Sequence, residues 1–378
     1  MPGTAKTLKL IYIERLRVVL TVLVILHHAF ITYGAPGSWY FAQKTEMEAA
    51  KMLLTLFVAV NQSFFMGFFF FLSALFIPSS YDKKGPAKFM ADRLVRLGIP
   101  LLFYSFILSP FLSYMPYRFA EGHQVSYIDY LKGFDGWINF GVLWFVLALL
   151  LFTTVYVIIR KWISPGTLAK VRSMPSAGLI LGTATAVGFI SYLVRINFPV
   201  GWVLQPLGFQ LGHFPQYIAM FILGLVASRQ RWLETDAYRT GKVMARVAVG
   251  LVVLGFPAFV IARNILGYPV SDYNVGGHWP SLWYAVWEQL LGFSICAALI
   301  CIGKVRWNNP SSWVSQLSRT TFAVYIFHPL VLIALSVAVS GWPVEPLIKL
   351  AIVAPLSVMM SFALGAVLVR IPGINKVV

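Results

Sequence analysis

Acidic residues are scarce in this chain: 13 Asp and Glu stand against 30 Lys and Arg in 378 residues, and charged residues of both signs make up only 11%. With 59% of the residues hydrophobic and a mean hydropathy of +0.77, the soluble globular class is excluded, because no soluble domain needs so much apolar surface. Cysteine is nearly absent. Cys296 and Cys301 stand five apart on one predicted helix, where they do not easily bridge, so there is no disulfide framework and no metal-ligand spacing. No stretch rich in Ser, Pro or charge divides the chain, which reads as a single integral membrane domain over residues 1–378. The first apolar segment contains His27 and His28, and no small-residue cleavage site follows in Gly34 to Ser38, so we read it as a retained helix and not a signal peptide. No strong internal repeat is visible, which counts against inverted-repeat transporters.

What the chain has instead is a succession of apolar windows of about 20 residues, the length that crosses a bilayer. They fall near 15–34, 51–77, 94–115, 139–159, 177–196, 215–228, 244–263, 281–303, 320–340 and 347–370, with the sixth the shortest. This predicts an all-α polytopic transmembrane bundle of ten helices. Placing the N-terminus inside and alternating puts 23 of the 30 basic residues on the cytoplasmic side: Lys6, Lys9, Arg15, Arg17, Lys83, Lys84, Lys88, Arg93, Arg96, Arg160, Lys161, Lys170, Arg172, Arg229, Arg231, Arg239, Lys242, Arg246, Lys304, Arg306, Arg319, Arg370 and Lys376. Every inner loop then obeys the positive-inside rule, and both termini are expected to be cytoplasmic. Topology accounts for the net charge of +17. No nucleic-acid partner is needed, and the basic inner face suits phosphorylated ligands or anionic lipid.

Ionisable groups inside spans are costly and therefore point to chemistry. Arg17 and His28 lie eleven positions apart on the first span. That spacing brings them within roughly 20° of one helical face, with about 16 Å between them along the axis. A neutral imidazole at His28 is placed to take a proton from a hydroxyl; the competing reading is a histidine bonded across helices for packing. His27 points about 100° away. Arg93 and Arg96, spaced i, i+3 and followed by Gly98 and Pro100, can clamp a phosphate; an Asp92 to Arg96 pair is the plainer alternative. Pro329 follows His328 within the ninth span and frees backbone carbonyls there, with Tyr325 on the same face. Glu288, beside Gln289, is the one carboxylate well inside a span, suited to orienting an imidazole or binding a sugar hydroxyl. Aromatic residues crowd the outer loops, among them Tyr117, Tyr127, Tyr130, Trp137 and Trp202, as an interfacial belt or as platforms for a glycan.

These residues together resemble the acyltransferase 3 family, the integral membrane acyltransferases that include glucan succinyltransferases and polysaccharide O-acetyltransferases. The resemblance is carried by Glu14-Arg15-Leu16-Arg17 with ten residues before His28, by the Phe-rich run Gly67 to Ser73, and by Asp92 to Pro100. Gly141-Val-Leu-Trp144-Phe145 and Tyr325-Ile-Phe-His328-Pro329 complete it. It implies Arg17 and His28 as the catalytic pair; Arg93, Arg96, Trp144, Glu288, Tyr325 and His328 are expected as substrate-binding residues. It also implies acyl-CoA as a cytoplasmic donor substrate, with no bound cofactor and no metal, and a cell-surface carbohydrate or glycolipid as acceptor. A multi-pass protein of the bacterial cytoplasmic (inner) membrane is expected, a stand-alone transferase without an added hydrolase-like domain. Two positions depart from the family pattern. Leu149 stands where many members carry Glu, a role Glu288 is placed to take over, and Ser73-Ala74 replaces Ser-Gly.

The expected mechanism holds the phosphates of acyl-CoA at the inner arginines and threads the acyl arm up a continuous passage to His28, with donors from the ninth helix stabilising the oxyanion. A transporter or flippase for a lipid-linked sugar or organic anion accounts equally well for ten helices and a basic inner face, but not for the Arg17–His28 spacing.

Overall fold

The computed structural model describes residues 10–162 and 172–377. Lys6, Lys9 and Lys170 of the basic set lie outside them. Ten helical stretches among the described residues are long and apolar enough to span a membrane: Ile11–Tyr33, Glu48–Lys84, Pro86–Phe119, Gly141–Ile159, Ala177–Asn197, Leu211–Arg229, Tyr238–Leu266, Trp279–Arg306, Ser312–Ala338 and Pro346–Leu368. Each expected span has its counterpart, the sixth included. Helix is the form that satisfies every backbone donor and acceptor without water, which is why apolar sequence of this length takes it.

Proline shapes these helices in a regular way. The third span carries π turns at Leu94–Gly98 and Tyr104–Leu108, and the seventh carries one at Leu251–Gly255. Pro100, Pro110 and Pro257 each follow two residues after such a turn. A proline ring has no N–H and collides with the carbonyl four residues back; a π turn widens the helix there and absorbs the mismatch. Arg96 sits in the first of these turns, so its bearing differs from that of a regular helix.

The two ends of the bundle differ in charge. At one end Asp82 accepts from Arg229 at 2.5 Å and from Arg160 at 3.2 Å, tying the second, fourth and sixth spans together. Arg15, Lys84, Arg93, Lys304 and Arg306 lie at this end, which we call the basic end. At the opposite end Lys349 is buried, its ammonium held by Gln43 Oε1 and the Ser340 carbonyl, both at 2.9 Å.

The Phe-rich run lies in the core between them. Phe68, Phe70 and Phe71 are buried, and Phe70 meets Phe145 with ring centroids 4.6 Å apart. Ala74, where the family pattern has Gly, is fully buried against Gly224 of the sixth span; a Cβ at 224 would stand 2.7 Å from that of Ala74, so the glycine makes room for the alanine. Leu149 is buried in the same apolar cluster, with no polar function.

Candidate functional site

A cavity of about 1210 Å³ opens at the end opposite the basic one. His28, Trp39, Trp144, His213, Tyr217 and Tyr325 are on its wall, with loop residues Gly201 to Gln210 above them. On the first span Val24, one turn below His28, shares the cavity wall with it, Leu20 and Ile25 are buried, and Thr32 Oγ1 donates back to the His28 carbonyl at 2.9 Å.

Three nearly parallel rings, those of His28, Trp39 and His328, lie together here. Trp39 stacks on His28 with centroids 3.9 Å apart and planes 20° apart, and His328 lies 5.4 Å from His28 at 19°. The third side, Trp39 to His328, is 6.3 Å. Those separations form nearly a right angle at His28, so Trp39 covers a face of the imidazole while His328 lies off its edge. His28 Nδ1, His328 Nε2 and Trp39 Nε1 are all buried without a hydrogen-bond partner among the described residues. The site thus holds two unspent imidazole nitrogens and one unspent indole donor within a few ångströms.

The ninth span explains how His328 is oriented. Pro329 cannot donate to the carbonyl of Tyr325 four residues back, and His328 Nδ1 lies 2.9 Å from that oxygen. A carbonyl only accepts, so Nδ1 carries the proton and, in the neutral ring, Nε2 keeps the lone pair. The Tyr325 hydroxyl donates to the Val142 carbonyl. Both donors expected from the ninth helix are therefore occupied. Trp39, in the loop after the first span, has the free N–H. Tyr40 beside it pairs with Tyr104, hydroxyl to hydroxyl at 3.1 Å; burial pushes its phenol up, keeping it neutral. Gly141 takes φ +44°, and a Cβ there would meet both hydroxyls at 2.6 and 2.7 Å.

Glu288 does not reach the cavity. It is 1% exposed and paired with Arg195, which is 0% exposed, and its Oε1 lies 3.3 Å from Nδ1 of His213. Gln289 donates to its Oε2 at 3.2 Å, and Arg195 Nε donates to the Gly212 carbonyl at 3.3 Å. Of this group, His213 faces the cavity. Glu288, expected either to bind a sugar hydroxyl or to orient an imidazole, lies off the cavity wall, paired with Arg195 and beside His213, which is on the wall. Arg195 and His213, like Trp39, are residues that sequence reasoning missed. His27 is also on the cavity wall, where Asn61 donates to its Nδ1 at 3.2 Å and Phe65 stacks on it.

At the basic end, Arg17 lies over the Phe76 ring at 5.0 Å and Arg93 over Phe89 at 5.2 Å. Arg96 is within electrostatic range of both. Asp92 pairs with Lys84 at 2.5 Å, not with Arg96, leaving three guanidiniums grouped. None of the three lines the cavity, whose wall on the first span extends down to Val24. The continuous passage expected from the sequence is therefore not what this cavity shows: it joins His28, Trp144 and Tyr325, and the arginines stand apart from it because Leu16 and Leu20 pack into the core between.

No curated protein and no solved structure matches this chain. A family model does: the acyltransferase 3 model, described as an acyltransferase domain, matches residues 10–370. Nearly the whole described bundle lies within that match, and the chain belongs to the acyltransferase 3 family of membrane acyltransferases.

Proposed function

We propose that the protein moves an acyl group, acetyl or succinyl, from acyl-CoA bound at the basic end to a hydroxyl of a carbohydrate or glycolipid in the cavity. The observation that carries this is His28 on the cavity wall, face-stacked on Trp39 and edge to His328, with Nδ1 unspent. His28 takes the hydroxyl proton as the oxygen attacks the thioester carbon, and the Trp39 Nε1–H supports the charge that develops on the carbonyl oxygen. The carbon–sulfur bond then breaks, and the thiolate leaves with the proton from the imidazolium. Arg17, Arg93 and Arg96 hold the donor phosphates, as planar guanidiniums do well, and this reading requires Leu16 and Leu20, packed between the arginines and His28, to move aside for the acyl arm. In this reading the basic end is cytoplasmic, both termini lie on that side, and the membrane is the bacterial inner membrane.

Purified protein incubated with radiolabelled acetyl-CoA and a panel of carbohydrates tests it. Label should move to the carbohydrate in the wild type and stay on coenzyme A in His28→Ala, with the variant folded and inserted. Equal transfer by both proteins rejects His28 as the base. Carbohydrate transport without transfer of label supports a carrier instead.

A further inference from the structure

Ala59 and Val60 of the second span and Leu251 and Val252 of the seventh pack against one apolar cluster that includes Trp287 and Leu291 of the eighth. Beyond that cluster, toward the cavity's open end, the second and seventh spans face each other across it. Met52, Thr55 and Ala59 line it from the second span, and Phe256, Val260 and Arg263 from the seventh. Both sets repeat every three or four residues, so each is one face of its helix. The adjacent faces look outward: Leu53 is 64% exposed and Ile261 57%. Met52 belongs to both surfaces, lining the cavity while 46% exposed. The seventh span is also the least enclosed, with 11% of its most apolar window buried against 72% for the eighth. Cavity wall and lipid-facing surface are continuous along this side.

Polarity changes along the same route. Near His28 the wall offers His27, Gln62 and Tyr217; between the two spans it offers Met52, Val58, Phe256 and Val260. An apolar cleft at bilayer depth takes hydrocarbon in preference to water. At its mouth Lys51 is held by Glu46 at 2.8 Å and Glu48 at 3.1 Å, and Arg263 is the other cation, so two positive and two negative charges balance. Nothing there selects a charged head group.

We infer that the acceptor is a membrane lipid with an uncharged, hydroxyl-rich head group, entering sideways between the second and seventh spans. Its chain lies against Met52, Ala59, Phe256 and Val260 while a head-group hydroxyl reaches His28. This rests on the acyl-transfer reading for what happens at His28, but the site itself is read without catalysis.

The test is photolabelling of the full chain in lipid nanodiscs by a dodecyl glucoside that carries a diazirine in its alkyl chain. Label should concentrate on the segments around Thr55 to Ala59 and Phe256 to Val260, and excess unlabelled dodecyl glucoside, but not glucose, should compete it away. Val260→Trp, which fills the cleft, should cut the label by about tenfold or more. A conservative change on the lipid face, Ile261→Leu, should leave it unchanged. Label confined to outward residues such as Leu53 and Ile261, or indifferent to competitor, overturns the lateral site. If soluble carbohydrate then still accepts acyl groups, the enzyme reading stands without it; specific label with no acyl transfer to any acceptor leaves the lateral site and removes that reading.

Discussion

The imidazole of His328 donates to the Tyr325 carbonyl, the one oxygen in the ninth span that Pro329 leaves without its helical donor. The proline and the histidine thus act together: one opens the backbone and the other closes it with a side chain, fixing which nitrogen bears the proton. Pro329→Ala should restore the backbone donor and compete with the ring. An internal proline costs a helix about 3 kcal/mol or more, so this variant should be as stable as the wild type or more so, yet slower. A thermal melt beside a rate measurement checks it; a variant that is both stable and fully active removes the orienting role of Pro329.

Trp39 supplies a face and an N–H to the same site. Trp39→Phe keeps the stack and deletes the donor. Loss of one oxyanion donor slows acyl transfer by about a hundredfold to a thousandfold, and kcat should fall accordingly with donor KM little changed. An unchanged kcat would exclude the indole from transition-state stabilisation.

The Arg195–Glu288 pair is buried on both sides. Glu288→Gln strands the guanidinium and should destabilise by about 3–5 kcal/mol, whereas the paired change Arg195→Met with Glu288→Leu should recover most of that. Melting temperatures of the single and double variants decide. A double variant no more stable than the single one would show that Gly212 and His213 matter more than the charge pair.

Arg93→Gln with Arg96→Gln should raise the KM for acyl-CoA and leave kcat nearly intact. Because Arg96 is exposed, the wild-type KM should also rise with salt, and the double variant should lose part of that dependence. Donor titrations at low and high ionic strength measure both; a salt response that survives the double change places the phosphates elsewhere.

Much of the bundle was legible because the bilayer imposes length and hydropathy on each span separately, and all ten follow from local composition. That Arg17 and His28 share one helix was legible for the same reason, although Arg17 lies over Phe76 at the basic end and His28 on the cavity wall. Trp39, Arg195 and His213 were not. Trp39 reaches His28 because the chain turns back after Tyr33, with Ala35 N–H bonded to the Phe30 carbonyl and Gln43 N–H to that of Thr32. Arg195 meets a carboxylate 93 residues away on a different span. Neither juxtaposition has a periodic signal. The bearing of Arg96 is hidden in a similar way, because a π turn shifts every side chain after it.

One consequence follows from the ring geometry around His28. An aromatic nitrogen offers its lone pair in the plane of the ring, and here one broad side of the ring is shut by indole while part of its perimeter is turned to a second imidazole. If His28 acts as proposed, the hydroxyl it meets would approach along the rest of the rim.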